Sequence, residues 1–113
     1  MTLAAERDGR DPEALHVVAV AEERVLGTCR LLFREAVARL GRMAVEAGER
    51  RRGVGVAMLR EAERLARESG ARRIALHAQS YARELYEREG YRQRGAAFSE
   101  EGIEHVTMEK RLA

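Results

Sequence analysis

Between residues 53 and 69 the apolar side chains recur at helical spacing, and this one segment decides most of what the chain can fold into. Val54, Met58, Ala62, Leu65 and Ala66 fall on one face, with Arg60, Glu61, Glu63, Arg64 and Arg67 facing outward, so the period predicts an amphipathic helix. Glu63 and Arg67 have the spacing of a supporting i,i+4 pair, and Gly70 suits the position just past the last turn. The next segment, Arg73 to Ala78, changes period: Ile74, Leu76 and Ala78 alternate with Ala75 and His77, as in a strand lying under a helix. Ahead of the helix, Ala38 to Val45 reads as another strand, with Leu40, Met43 and Val45 in an imperfect alternation that a β-bulge explains. Strand, helix, strand in that order requires parallel pairing.

The remaining elements surround this unit. His16 to Ala21 and Val25 to Phe33, broken by Gly27, read as a hairpin around Glu22-Glu23-Arg24. A shorter helix runs from Ser80 to Glu89, with Ala82, Leu85 and Tyr86 inward and Gly90 as its stop. Tyr91 to Phe98 and His105 to Leu112 close the sheet as an antiparallel pair joined by Ser99-Glu100-Glu101-Gly102. The fold class is therefore α/β (α+β): a mixed, mostly antiparallel sheet around a central parallel strand-helix-strand unit. With 113 residues there is room for one core, so we read a single domain over 1–113. Residues 1–14 contain Pro12 and no periodic apolar face, and are expected to be a flexible leader to a core over 15–113.

Composition removes several functions. No apolar run approaches the ~20 residues of a membrane span, the first residues lack a signal-peptide core, and the lone Cys29 excludes an internal disulfide and a cysteine metal cluster. A cytoplasmic protein without membrane or metal is expected. The formal net charge of +2 gives nucleic acid little to bind.

The residues Arg50-Arg51-Arg52-Gly53-Val54-Gly55-Val56 lie between a strand and the start of the strongest helix. A helix start has unpaired N–H groups and partial positive charge, and glycine lets backbone approach phosphate oxygens closely. Gly53 and Gly55 would serve a pyrophosphate or ribose phosphate, and the arginines would add charge-assisted hydrogen bonds. A tight turn with solvated arginines fits the same spacing equally well. The stretch is neither a P-loop, lacking its Lys and hydroxyl, nor G-x-G-x-x-G, because Ala57, Met58 and Leu59 supply no third glycine.

A second pattern adds weight: Arg50-x-x-Gly53-x-Gly55 is followed by Gln79-x-x-Ala82-x-x-x-Tyr86-Glu87-x-x-Gly90-Tyr91. Two motifs in this order resemble the GNAT superfamily of N-acetyltransferases, and Gly102 to Met108 is similar to the tail of a bacterial subgroup of small members; the likeness covers about residues 15–113. The resemblance implies acetyl-coenzyme A as cosubstrate, with the pantetheine arm on the backbone of Met43, Ala44 and Val45 and the pyrophosphate on Arg50, Arg51, Arg52, Gly53, Val54, Gly55 and Val56. Gln79 and Ala82 complete the cofactor side; Gln79 stands where the family usually has asparagine. It implies Tyr86 as the acid that protonates the departing thiolate, a reasonable match of a phenol of pKa ~10 to a thiol of pKa ~8.5. Taken on its position alone, Tyr86 reads as a core aromatic ahead of a catalytic group, and it is the surrounding motif that reverses the order.

Other candidates are weaker. His77 is placed under a helix, and His105 beside the acceptor site or in a structural hydrogen bond; Glu46 and Glu49 are relay candidates or solvated loop charges; Cys29 is a small buried hydrophobe. The family's usual first strand and helices, which help form the acceptor side, are not read ahead of the hairpin. That implies a late start site or a minimal form completed by another subunit, and it leaves His16 to Ala21 as a bare sheet edge, from which a homodimer or a weakly stable monomer follows. The leading function is acetyl transfer to a primary amine by direct attack in a ternary complex. The alternatives are a non-catalytic acyl-coenzyme A-binding or subunit-interaction module and, less favoured, an arginine-mediated nucleic-acid binder.

Overall fold

The computed structural model describes residues 1–7, 13–49 and 53–112. Its strands are β1 Thr2–Arg7, β2 Ala14–Ala21, β3 Arg24–Arg34, β4 Val37–Val45, β5 Arg73–Gln79, β6 Arg92–Glu100 and β7 Ile103–Arg111. The helices are α1 Val54–Glu68 and α2 Arg83–Arg88, with 3-10 turns at Ala47–Glu49 and Ser80–Ala82. The seven strands make one sheet in the order β1-β2-β3-β4-β5-β7-β6. Only β4 and β5 pair in parallel, across the α1 crossover, as the strand-helix-strand order requires.

Burial follows from the two periods. In β5 Ile74, Leu76 and Ala78 are buried on one face, and α1 lays Val54, Met58, Leu59, Ala62 and Ala66 over that face together with Leu31, Leu40 and Met108. Gly27 permits the close approach, since a Cβ there would stand 2.7 Å from Met58 Cε and 3.0 Å from the Ala44 carbonyl oxygen. The expected bulge lies in β4: Ala44 and Gly41 oppose Thr28 and Arg30, leaving one extra residue on β4, and Arg42 takes a φ of 51° there.

Four expectations need correction. Thr2–Arg7, read as leader, is a strand paired to β2 from Thr2↔Val20 to Arg7↔Leu15. Its side chains are exposed except the half-buried Leu3, so it carries no amphipathic signal and owes its form to pairing. β1 therefore occupies the edge assigned to His16–Ala21, and the argument for a dimer through a bare β2 lapses. Residues 8–13 alone separate β1 from β2, which leaves no room there for the helices the resemblance would insert; Pro12 lies outside the described residues. Glu63, read as outward, is 4% exposed and does not pair with Arg67, whose Nε donates to the Leu112 carbonyl oxygen instead. Finally, Leu85 is exposed on the short α2 rather than inward.

Candidate active site

The parallel pair is a fork. β4 and β5 pair only from Val37↔Arg73 to Leu40↔Leu76. From Gly41 on, the bulged β4 follows β3, while β5 runs beside β7 from His77↔Thr107 to Gln79↔His105. A wedge opens between the two strands, bordered by Met43, Ala44 and Val45 on one side. Met43 and Val45 are half-buried against the core and Ala44 is exposed.

The first turn of α1 stands near β4. Gly53 caps it with a φ of 82°, a left-handed conformation that favours glycine, and no side chain caps the helix. The first helical bond runs from the Ala57 N–H to the Gly53 carbonyl, so the N–H groups of Val54, Gly55 and Val56 lack helical acceptors, with no acidic residue in that turn to compete for them. Val54 is buried, while Gly55 and Val56 are half-buried. A Cβ on Gly55 would meet Val45 Cγ2 at 3.8 Å and Met43 Sδ at 4.0 Å, ordinary contacts. Neither packing nor a positive φ therefore demands glycine at 55. Arg50, Arg51 and Arg52 lie outside the described residues.

Beyond β5, Gln79 leads into the 3-10 turn that ends at the half-buried Ala82. Ser80, which the motif reading passed over, has a buried Oγ without a hydrogen-bond partner, a group that costs about 1–3 kcal/mol unless something satisfies it. Tyr86 on α2 packs its ring against Tyr91, centroids 5.7 Å apart at 75°. The Tyr91 hydroxyl donates to Glu63 Oε2 at 2.8 Å and Lys110 Nζ to Glu63 Oε1 at 3.0 Å, so a buried carboxylate beneath α1 indirectly holds Tyr86. Burial, with Cys29 and Tyr81 adding to it, raises the Tyr86 pKa, keeping the phenol protonated at neutral pH. Burial likewise pushes the Cys29 thiol up to about 12, which rules it out as an acyl-carrying thiolate at that pH.

The other face of the sheet has no helix over it among the described residues. His77 lies there, exposed, rather than under a helix, and lines a cleft of about 370 Å³ together with Arg30, Arg39, Leu40, Gly41, Arg42 and Thr107. Glu100 joins two histidines: its Oε1 lies 3.0 Å from His77 Nδ1 and its Oε2 3.5 Å from His105 Nε2. Phe98 sits beside both rings, with centroids at 4.9 Å and 6.1 Å. Glu46 and Glu49, the relay candidates, pair with Arg24 at 3.3 Å and 2.8 Å. No group of ligands suited to a metal ion occurs among the described residues, and no described helix is long and apolar enough to cross a membrane.

A model of the acetyltransferase (GNAT) domain matches residues 2–112. The chain is similar to the uncharacterised N-acetyltransferase YjcF of Bacillus subtilis, 31% identical over 106 residues that cover 93% of this chain and 76% of that protein. The crystal structure of an acetyltransferase from Bacillus cereus matches it with a TM-score of 0.78 and 28% identity, over 88% of this chain and 73% of that one. An aminoglycoside 6′-N-acetyltransferase crystallised with coenzyme A matches with a TM-score of 0.79 over 92% of this chain and 76% of that one. At 18% identity the last is a likeness of fold alone.

Proposed function

This chain belongs to the GNAT acetyltransferase family, and we propose on that premise that it moves an acetyl group from acetyl-coenzyme A to a primary amine by direct attack in a ternary complex. The observation that carries the reading is the fork itself: β4 leaves β5 after Leu40 beside an uncapped α1 start that includes Gly55, a glycine the fold does not need. The space beside Gly55 and the N–H groups of Val54, Gly55 and Val56 fit a pyrophosphate. Met43, Ala44 and Val45 would offer backbone groups to the pantetheine arm, and the unsatisfied Ser80 Oγ with Gln79 and Ala82 would flank it. The bound cosubstrate supplies an activated thioester. Tyr86 would hold a proton for the departing thiolate sulfur.

The same geometry favours acetyl-coenzyme A over a nucleic acid, because it is a single helix start at a fork rather than an extended basic surface. The short connection at residues 8–13 favours, as a second reading, a non-catalytic acyl-coenzyme A-binding module. In either reading we place the protein in the cytoplasm. Calorimetry with acetyl-coenzyme A tests both: a Kd in the micromolar range, ~−8 kcal/mol at 1 μM, is expected, and Gly55→Val should abolish most of the affinity in a protein that still folds. Absence of heat at millimolar ligand overturns the reading, and binding without thiol release across an amine panel selects the second one.

A further inference from the structure

On the acetyl-transfer reading the acceptor enters by the cleft on the helix-free face, and we propose that this cleft selects a primary amine that also carries a carboxylate. The inference rests on the acetyl-transfer reading for its chemistry and on the cleft alone for its selectivity. Position is the first argument. The cleft is lined by Arg39, Gly41 and Arg42 of β4 and by Ala75 and His77 of β5, residues at the end of the paired stretch and just past it. An acceptor lying there reaches the wedge from the face opposite α1 and Tyr86. Its volume, about 370 Å³, suits a small metabolite.

Charge is the second argument. Arg39 and Arg42 line the cleft against one carboxylate, Glu100. Arg39 and Arg42 make no ion pair among the described residues. A simple alkylammonium would enter a site of net positive charge, which like-charge repulsion disfavours. A carboxylate on the same molecule reverses this, because guanidinium binds carboxylate through paired N–H donors.

The amine end has its own receptor. His105 Nδ1 lies 2.8 Å from the Ile103 carbonyl oxygen, and a carbonyl only accepts, so Nδ1 carries the hydrogen and Nε2 of the neutral ring is an acceptor. When the ring is unprotonated, Nε2 and Glu100 Oε2, 3.5 Å apart, are two acceptors that an ammonium group can bridge by donating to both. Glu100 is kept in place by its other oxygen, 3.0 Å from His77 Nδ1. In the transfer, the ammonium gives one proton to this pair, and its nitrogen bonds to the thioester carbonyl carbon. The C–S bond breaks, the nitrogen loses a second proton, and the thiolate takes one proton through Tyr86. One proton per turnover leaves to water.

The test uses the full chain and matched probes: glycine with methylamine, and γ-aminobutyrate with propylamine. Saturation-transfer NMR without acetyl-coenzyme A reads amine binding separately from cosubstrate binding, so a failed acetyl-transfer reading cannot hide the result. The amino acids are expected to bind at least about tenfold more tightly than the alkylamines. Arg39→Gln should remove that preference without changing acetyl-coenzyme A affinity, and Glu100→Gln should weaken both members of each pair. Arg42→Gln repeats the first arm if Arg39→Gln fails to fold. Equal or tighter binding of the alkylamines, no binding of either class, or a preference that survives both arginine variants overturns the proposal.

Discussion

On one side of β5, Ile74, Leu76 and Ala78 are buried under α1, whereas the residues between them, Ala75 and His77, line an open cleft with arginines around it. One strand thus borders a packed core on one face and an open, charged cleft on the other, and the fork where β4 leaves it connects the two. The division of labour is physical. The helix face supplies stability, so substituting it should cost folding; on the proposed reading the open face supplies charge to the acceptor, so substituting it should cost binding with little loss of stability.

The largest expected effect tests that division. Leu31 is fully buried on the helix face of β3 while its neighbour Leu32 points into the cleft. Leu31→Ala should lower unfolding free energy by about 2–5 kcal/mol, the usual cost of emptying a core leucine site, and Leu32→Ala by less than half as much. Urea titration of both variants decides; equal losses would mean that the open face is packed as tightly as the core.

Next in size is Tyr86→Phe. The ring keeps its contact with Tyr91, so cosubstrate affinity should stay nearly constant while turnover falls about 10²-fold, the range for a positioned general acid. Because burial raises the phenol pKa, Tyr86 stays protonated as pH rises past neutral, and no alkaline loss of turnover should arise from it below about pH 10. Unchanged turnover at saturating acetyl-coenzyme A would return Tyr86 to the core.

Most of the helix face was legible because its two periods are regular: Met58, Ala62 and Ala66 on α1 and Ile74, Leu76 and Ala78 on β5 are buried as the spacing requires. The parallel pair, the β4 bulge and the closing hairpin follow from the same reasoning. Glu63 escaped because its charge was read as a sign of exposure, although it continues the stripe Leu59, Ala62, Ala66 at helical spacing. β1 escaped because an exposed edge strand has no buried face to alternate with. Glu100 looked like a turn residue; only the pairing of β6 with β7 and β7 with β5 brings it to His77 and His105, and no local pattern encodes that meeting.

Glu63 also gives the third prediction. Glu63→Ala leaves the Tyr91 hydroxyl and Lys110 without their shared acceptor, at a cost of about 1–3 kcal/mol. Tyr86 should then lose turnover along with stability, because its ring leans on Tyr91. Thermal melts and turnover assays of the same preparation check this. A variant as stable as the parent would mean that the polar group under α1 contributes nothing to the packed face.

The smallest effect belongs to Arg60, which joins α1 to the turn after α2 by donating Nε to Glu89 Oε1 at 3.0 Å and a terminal nitrogen to Oε2 at 3.2 Å. The pair lies at the surface, where solvent and salt screen it, so Arg60→Ala should shift the melting temperature only slightly. Its pH dependence is nevertheless determinate. The hydrogen bond from Arg60 holds the Glu89 carboxyl below the usual carboxylate range, so the folded state binds that proton more weakly than the unfolded chain does. The stabilisation is therefore present above an unfolded carboxyl pKa of about 4.3 and is lost as pH falls through the lower folded value. Parent and Arg60→Ala should differ a little at neutral pH, converge in acid, and converge also in about 1 M salt. A gap that persisted unchanged under both conditions would show that Arg60 contributes by packing its stem against the helix pair rather than by charge, and would move it from the screened surface to the packed face.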